Sequence, residues 1–315
     1  MAAAVETMAY AGEVPWHGEG TNVSDKVTVE EMQAAAGLNW TVSKRPVFFH
    51  PAQSIEPYHA FKDKFVLARD TDDKPFSVVS GRYKPVQPKD ILGFFKDLLS
   101  RYGMTMETAG SLMNGRRIWA MAKTNEAYKV MGVDEIKGYL MVATSYDLTF
   151  STLAYFTSVR VVCNNTLQAS FGDMVNRISI PHFKDFDINS VHTQMGMGRE
   201  NWEAFTAACE SLTKIKLDVA KANQVLEEAY RFENDPVKDS LKRKDTNNII
   251  DLFSGKAIGA DVAGQTGWGL INATTQYLDQ IKRAHSTGNR LNSAWFGDSF
   301  NTKQRVLDTT LKLAA

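Results

Sequence analysis

Two cysteines in 315 residues, Cys163 and Cys209, are too few for a disulfide scaffold and make no metal-ligand spacing. No apolar run approaches the roughly 18 residues of a membrane-spanning helix. The first residues, "MAAAVETMAYAGEVPW", lack a basic segment and place Glu6 early, unlike a secretory signal. These absences fit a protein of the reducing cytoplasm. The six histidines form no HExxH motif or tight cluster, which argues against a zinc site. An excess of charge is also missing, since 36 Lys and Arg balance 36 Asp and Glu. Binding a polyanion needs local positive charge. Residues 1–75 hold 7 basic and 11 acidic side chains, whereas residues 76–184 hold 13 and 8. The middle of a neutral chain is therefore basic.

What is present is a globular composition, 43% hydrophobic and 23% charged. The first 30 residues read as a loop-rich arm around "PWHGEG". Thr28, Glu31 and Gly37 frame a short helix over 28–36. Strands are expected at 40–50, 57–69 and 76–86, with a turn at 70–75. In "QPKDILGFFKDLLSRYG", Ile91, Phe94, Phe95, Leu98 and Leu99 share one helical face, and Gly103 ends the helix. Asn114-Gly115 is the preferred pair for a two-residue type I′ hairpin. It sets Leu112 opposite Arg117 and Gly110 opposite Trp119, an aromatic over a bare glycine. Two more strands fit 138–150 and 153–163, with a helix from near Thr166. Beyond about residue 185 the period turns helical. Trp202, Phe205, Cys209 and Leu212 form a stripe, and further helices fit 218–232, 236–253, 268–285 and 299–313 around a glycine-rich loop at 254–267. The fold class is α+β: a curved antiparallel sheet rich in β-hairpins and packed with helices (1–187, with the N-terminal arm), followed by an all-α region (188–315).

The candidate sites begin with "SVRVVCNNTLQASF", residues 158–171. A nucleophilic Cys163 needs a histidine base and an orienting partner, and no histidine stands in such a context. The residue reads as a small buried thiol ending a strand. Asn164, Asn165 and Thr166 read as turn and cap chemistry, able to present N–H groups and amides to a phosphate. "GADVAGQT" (259–266) has phosphate-loop spacing, but Gln265 replaces the lysine and no strand precedes it, so an inter-helix loop is the better reading. Asp72-Asp73 and Asp134-Glu135 sit in expected turns and read as solvated. The stronger pattern is basic residues interleaved with aromatics. Arg82, Lys84, Arg116, Arg117, Lys123 and Arg160 lie on or beside strands with Tyr83 and Trp119, the arrangement that holds single strands by charge and stacking. Against it stands the reading of Trp119 as core and of the charges as solvated hairpin ends. Lys282, Arg283, Arg290 and Trp295 repeat the theme.

"MAYAGEVPWHGEG", "SGRYKPVQ", "AGSLMNGRRIWAMAK", "RVVCNNTL" and "GWGLINATTQYLDQ…NRLNSAWFG", in this order, resemble the phage/plasmid-like family classed as domain of unknown function 932. Glu19 departs from the apolar residue expected in "WHGEG". The resemblance implies cytoplasmic work in a bacterial host carrying a phage or plasmid. More distantly, the order helix, hairpin, long strands, helix over 88–171 is similar to the core of single-strand annealing recombinases, a likeness of fold only. Such proteins form rings or filaments and pair strands without ATP or metal. The expectation is thus a non-enzymatic, homo-oligomeric protein that binds and anneals single-stranded DNA for recombination, with no cofactor, no metal and no membrane partner. Arg82, Lys84, Arg116, Arg117, Lys123 and Arg160 would contact phosphates, Trp119 would stack, and Asn164 and Asn165 would shape one wall. The alternatives are a protein-interaction or inhibitor module aimed at a host protein, and a hydrolase using Cys163.

Overall fold

Met113, Asn114 and Gly115 take positive φ angles of 54°, 60° and 82°, the last two being the left-handed residues that a type I′ connection needs. The register that follows pairs Leu112 with Arg117 and Gly110 with Trp119, as the Asn-Gly position predicts. A Cβ on Gly110 would fall 2.5 Å from both the Trp119 ring and the Thr7 carbonyl oxygen. Only glycine lets the indole cross the strand there. The computed structural model describes residues 5–15, 18–52, 58–160, 165–168, 177–184, 199–237 and 239–313.

This hairpin, β6 (Thr105–Leu112) and β7 (Arg117–Val130), is the middle of the larger sheet. On one side β6 pairs with β1 (Val5–Ala11), which runs parallel to β2 (Thr21–Val23). On the other side β7 pairs with β8 (Asp134–Ser145) and β8 with β9 (Thr152–Arg160). The outer edge of β9 takes β10 (Asn165–Gln168) and β11 (Arg177–Ile180) along successive lengths. A second sheet has the order β3 (Val42–Phe49), β4 (His59–Arg69), β5 (Pro75–Ser80). It docks on the first where Phe76 stacks on Tyr146 at 5.4 Å. The chain is α+β, and its larger sheet is not closed.

One face of the larger sheet is covered by α1 (Val29–Ala35) and α2 (Pro88–Tyr102). Thr28 and Glu31 cap α1 reciprocally: the Thr28 hydroxyl accepts from the Glu31 N–H, and the Glu31 carboxylate accepts from the Thr28 N–H. Ile91, Leu92, Phe94, Phe95 and Leu98 are buried against Ile118, Ala120, Leu140 and Val142. At about 2 kcal/mol for each large side chain, this interface is a main source of stability.

The C-terminal region holds α3 (Arg199–Lys214), α4 (Val219–Tyr230), α5 (Ser240–Asp251), the short α6 (Ala260–Ala263), α7 (Gly267–Gln276), α8 (Thr287–Phe296) and α9 (Asp298–Leu311). Every residue of α7 is buried. The expected stripe Phe205, Cys209 and Leu212 packs into the same core as Val130 and Ile136 at the far end of β7 and β8. On the sheet face opposite α2, Leu291, Ala294 and Trp295 of α8 join Trp119, Met121 and Met141. The helical region therefore shares its cores with the sheet. The boundary read near residue 187 falls outside the described residues.

Several expectations are corrected. The N-terminal arm contributes β1, an interior strand, because Val5, Met8 and Tyr10 join the apolar cluster of Trp119 and Trp295 on one face of the sheet while Ala9 and Ala11 join the cluster under α2 on the other. The strand expected over 76–86 stops at Ser80, since Gly81 and Pro85 break the pairing. Thr166, where a helix was expected to begin, instead pairs with Val159 in β10. The helix expected over 268–285 ends at Gln276 in a widened turn, Tyr277–Ile281. Ser286 then caps the separate α8 by accepting from the Asn289 N–H at 3.2 Å. Within the 254–267 loop, α6 forms, and the Thr266 hydroxyl accepts from the Gly269 N–H to cap α7. Asp134, read as solvated, is buried and accepts from Trp268. Asp72, also read as solvated, is indeed exposed, and the Arg69 guanidinium holds its carboxyl down at about 2.

Candidate nucleic-acid interface

The cations expected to line one groove are dispersed by the fold. Arg117 is an internal residue. Its guanidinium pairs with Asp147 at 3.0 Å, donates to the Asn292 side chain, and lies over the Phe150 ring at 5.6 Å. Trp119 is fully buried beneath α8, with its ring 5.4 Å from that of Trp295. It therefore presents no face to a base, and the reading of Trp119 as core is the correct one. The physical reason is α8, a helix in the stretch that the sequence pattern left between the helices expected at 268–285 and 299–313. Arg116 is exposed at the β6–β7 turn. Lys123 shares the face of Arg117 and Trp119 but borders a cavity farther along β7.

Arg160 pairs with Ile136 and Arg117 with Ser145, near opposite ends of β8. At about 3.3 Å per residue they stand roughly 30 Å apart. Asn165 opens β10 opposite Arg160. Cys163 and Asn164 lie outside the described residues. The other cysteine, Cys209, is buried, and burial pushes its thiol up. No group of three metal-ligating side chains occurs among the described residues, and no helix among them is long and apolar enough to cross a membrane.

Arg82 and Lys84 stand elsewhere, both exposed, on the segment that follows β5. The Gly81 N–H donates to the Asp63 carbonyl at 3.2 Å, and Lys44 donates to the Gly81 carbonyl at 2.7 Å. The Lys84 N–H donates to the His182 carbonyl at 2.5 Å. The Tyr83 hydroxyl meets His182 Nδ1 at 2.6 Å, while His182 Nε2 meets Thr144 and Thr152 at 3.0 and 3.2 Å. This network pins the segment to the sheet.

The sequence pattern missed what lies next to it. Only Lys64–Ala68 of β4 pair with β5; past that point β3 and β4 run on as a two-stranded projection, with Phe48 opposite Ala60 and Phe49 opposite His59. A bulge between Phe65 and Ala60 carries Asp63 at φ 59°. On this projection Phe48, Phe49, Tyr58 and Phe61 are 57, 47, 68 and 50% exposed. Phe49 meets Phe61 edge-on at 6.4 Å, and His50 meets Tyr58 at 6.2 Å. Exposed Lys62 and Lys64 lie among these rings, and Lys44 sits over Phe65 at 5.4 Å. Arg45 is offset by Asp70 and Asp73. Four half-bare rings on one arm are an unusual amount of apolar surface to leave in water. A signal was present in "PVFFH" and "YHAFKDK", which lack the alternation of a strand with one buried face.

The family model described as Domain of unknown function (DUF932) matches residues 75–295, more than half of the chain. The match takes in α2, most of the larger sheet and the helices through α8, and it leaves the β3–β4 projection outside. No curated protein and no solved structure matches the chain. By the extent of that match, the chain belongs to the DUF932 family.

Proposed function

We propose that the protein binds single-stranded DNA, with the β3–β4 projection and the adjoining Arg82–Lys84 segment as the contact surface. The observation that carries this reading is the exposure of Phe48, Phe49, Tyr58 and Phe61 beside Lys62, Lys64, Arg82 and Lys84. Rings stack on bases of any sequence, and ammonium and guanidinium groups follow the phosphates. In the fuller form of the proposal, homo-oligomers of a phage or plasmid protein line up such arms and anneal complementary strands. That step rests on the fold analogy with annealing recombinases drawn from the sequence, of which the helix, hairpin and long strands are present, while β10 stands where its next helix was expected.

The test is fluorescence anisotropy of a labelled single-stranded oligonucleotide at about 50 and 200 mM salt, with duplex as comparison. The expected result is tighter binding to the single strand and a steep loss with salt. No binding at the lower salt would remove the reading. The same bare rings favour a second one, a protein-interaction module acting on a host protein, for which the zero net charge of the chain is no obstacle. Salt-insensitive association with a protein and indifference to DNA would select it.

A further inference from the structure

A cavity of about 460 Å³ opens on the face of the larger sheet that α8 only partly covers. Its floor is apolar, with Met8, Met121, Leu291 and Trp295 beneath and beside α8. Its other end is polar, because the side chains on this face change character along the strands. Lys123 is paired with Tyr139, and Lys137 follows on the same face of β8. The size lies within the range of small-molecule sites, and the combination of an apolar body with a few convergent polar groups is their usual make-up.

Glu107 completes the polar end through a defect in the sheet. Met106 pairs with Ala122 and Thr108 with Met121, so Glu107 is the extra residue of a bulge. Bulges re-aim side chains, and this one brings a carboxyl to the cavity wall that Tyr139 also lines. Burial raises the Glu107 carboxyl, while Lys123 and Lys137 lower it and Glu13 and Asp25 raise it further. Glu13 and Asp25 stand on the exposed side of the cavity, and Asp279 on its wall is matched by Lys303 at 2.8 Å.

We infer that this cavity binds an amphipathic monocarboxylate, its apolar body against Met121, Leu291 and Trp295 and its carboxylate between Lys123 and Lys137. Lys123 and Lys137 offer the carboxylate two ammonium donors. Glu107, Glu13 and Asp25 around them oppose a second negative charge, so a dianionic phosphate ester is disfavoured. A cation would meet the lysines. The site is separate from the β3–β4 projection, and the inference does not rest on DNA binding.

The test is titration calorimetry of the full chain with octanoate and phenylacetate, using octylamine and octyl phosphate as comparators. Saturable binding of at least one carboxylate is expected, with octylamine and octyl phosphate at least tenfold weaker. Lys123→Met with Lys137→Met keeps the aliphatic stems and should weaken the carboxylate tenfold or more at an unchanged melting temperature. Glu107→Gln removes one repulsion and should narrow the gap between octyl phosphate and octanoate. Absence of binding by both carboxylates overturns the inference. So does affinity unchanged in the folded double variant, or octylamine binding as well as octanoate.

Discussion

The indole N–H of Trp268 donates to the buried Asp134 carboxylate at 2.8 Å, joining the first turn of α7 to the start of β8. A charge-assisted bond between buried groups links the helical region to the sheet. Trp268→Phe keeps a ring but removes the donor, and should cost about 2–3 kcal/mol in urea unfolding. A loss below about 0.5 kcal/mol would mean that the bond does not couple the two regions.

Lys303 and Asp279 form a second buried pair, at 2.8 Å with side-chain exposures of 8 and 5%. Breaking it by Lys303→Met leaves a buried carboxylate without its cation, at an expected cost of about 3–5 kcal/mol. Adding Asp279→Leu should recover much of that loss. Equal stabilities for the single and double variants would contradict the ion-pair account.

For the DNA-binding proposal, Phe48→Ser and Phe61→Ser should each lower single-strand affinity by roughly tenfold, since a stacked base is worth about 1–3 kcal/mol. Both rings are half exposed, so the melting temperature should hold or rise. Binding unchanged in both variants would remove the projection from the interface.

Arg82→Gln with Lys84→Gln should reduce the slope of log affinity against log salt by about 1.4, roughly 0.7 for each single-strand phosphate that is no longer neutralised. Arg117→Gln should behave oppositely, because Arg117 is tied to Asp147 and Asn292. It should lower stability and leave the slope alone. A slope that follows Arg117 instead would place the DNA on the α8 face.

Burial holds His182 at about 4, below its ordinary 6.5. Between those values the unfolded chain takes up a proton that the folded chain refuses, so stability falls as pH drops from about 6.5 to 4. The span is worth at most about 3 kcal/mol, and roughly 2 once the solvent reaching the ring is allowed for. His182→Gln should flatten that part of the profile relative to the native chain. Parallel urea midpoints for the two proteins between pH 7 and 4.5 would show that the ring does not titrate in this way.

The local elements were legible where one signal dominated. The 3.6-residue spacing of Ile91, Phe94, Phe95 and Leu98 gave α2, and Thr28 with Glu31 gave the start of α1. Asn114-Gly115 set the β6–β7 register through the left-handed φ that those residues tolerate. Weak or mixed signals misled. β1 has a bulge and small residues in place of alternation, and α8 follows a widened turn that the periodicity alone did not reveal.

The candidate site divided along the same line. Arg82 and Lys84 were found from their charge and are exposed, but charge and spacing cannot show that Arg117 has Asp147 beside it or that Trp119 lies beneath Trp295. The amino-acid sequence by itself determined the α+β class, the central hairpin and the helical C-terminal region, because turn dihedrals and side-chain periodicity act over a few residues. Which cations stay exposed, which ring is sealed, and where Glu107 points were decided only by the tertiary structure. Burial and pairing depend on elements such as β7 and α8, which lie far apart in the chain and meet only when it folds.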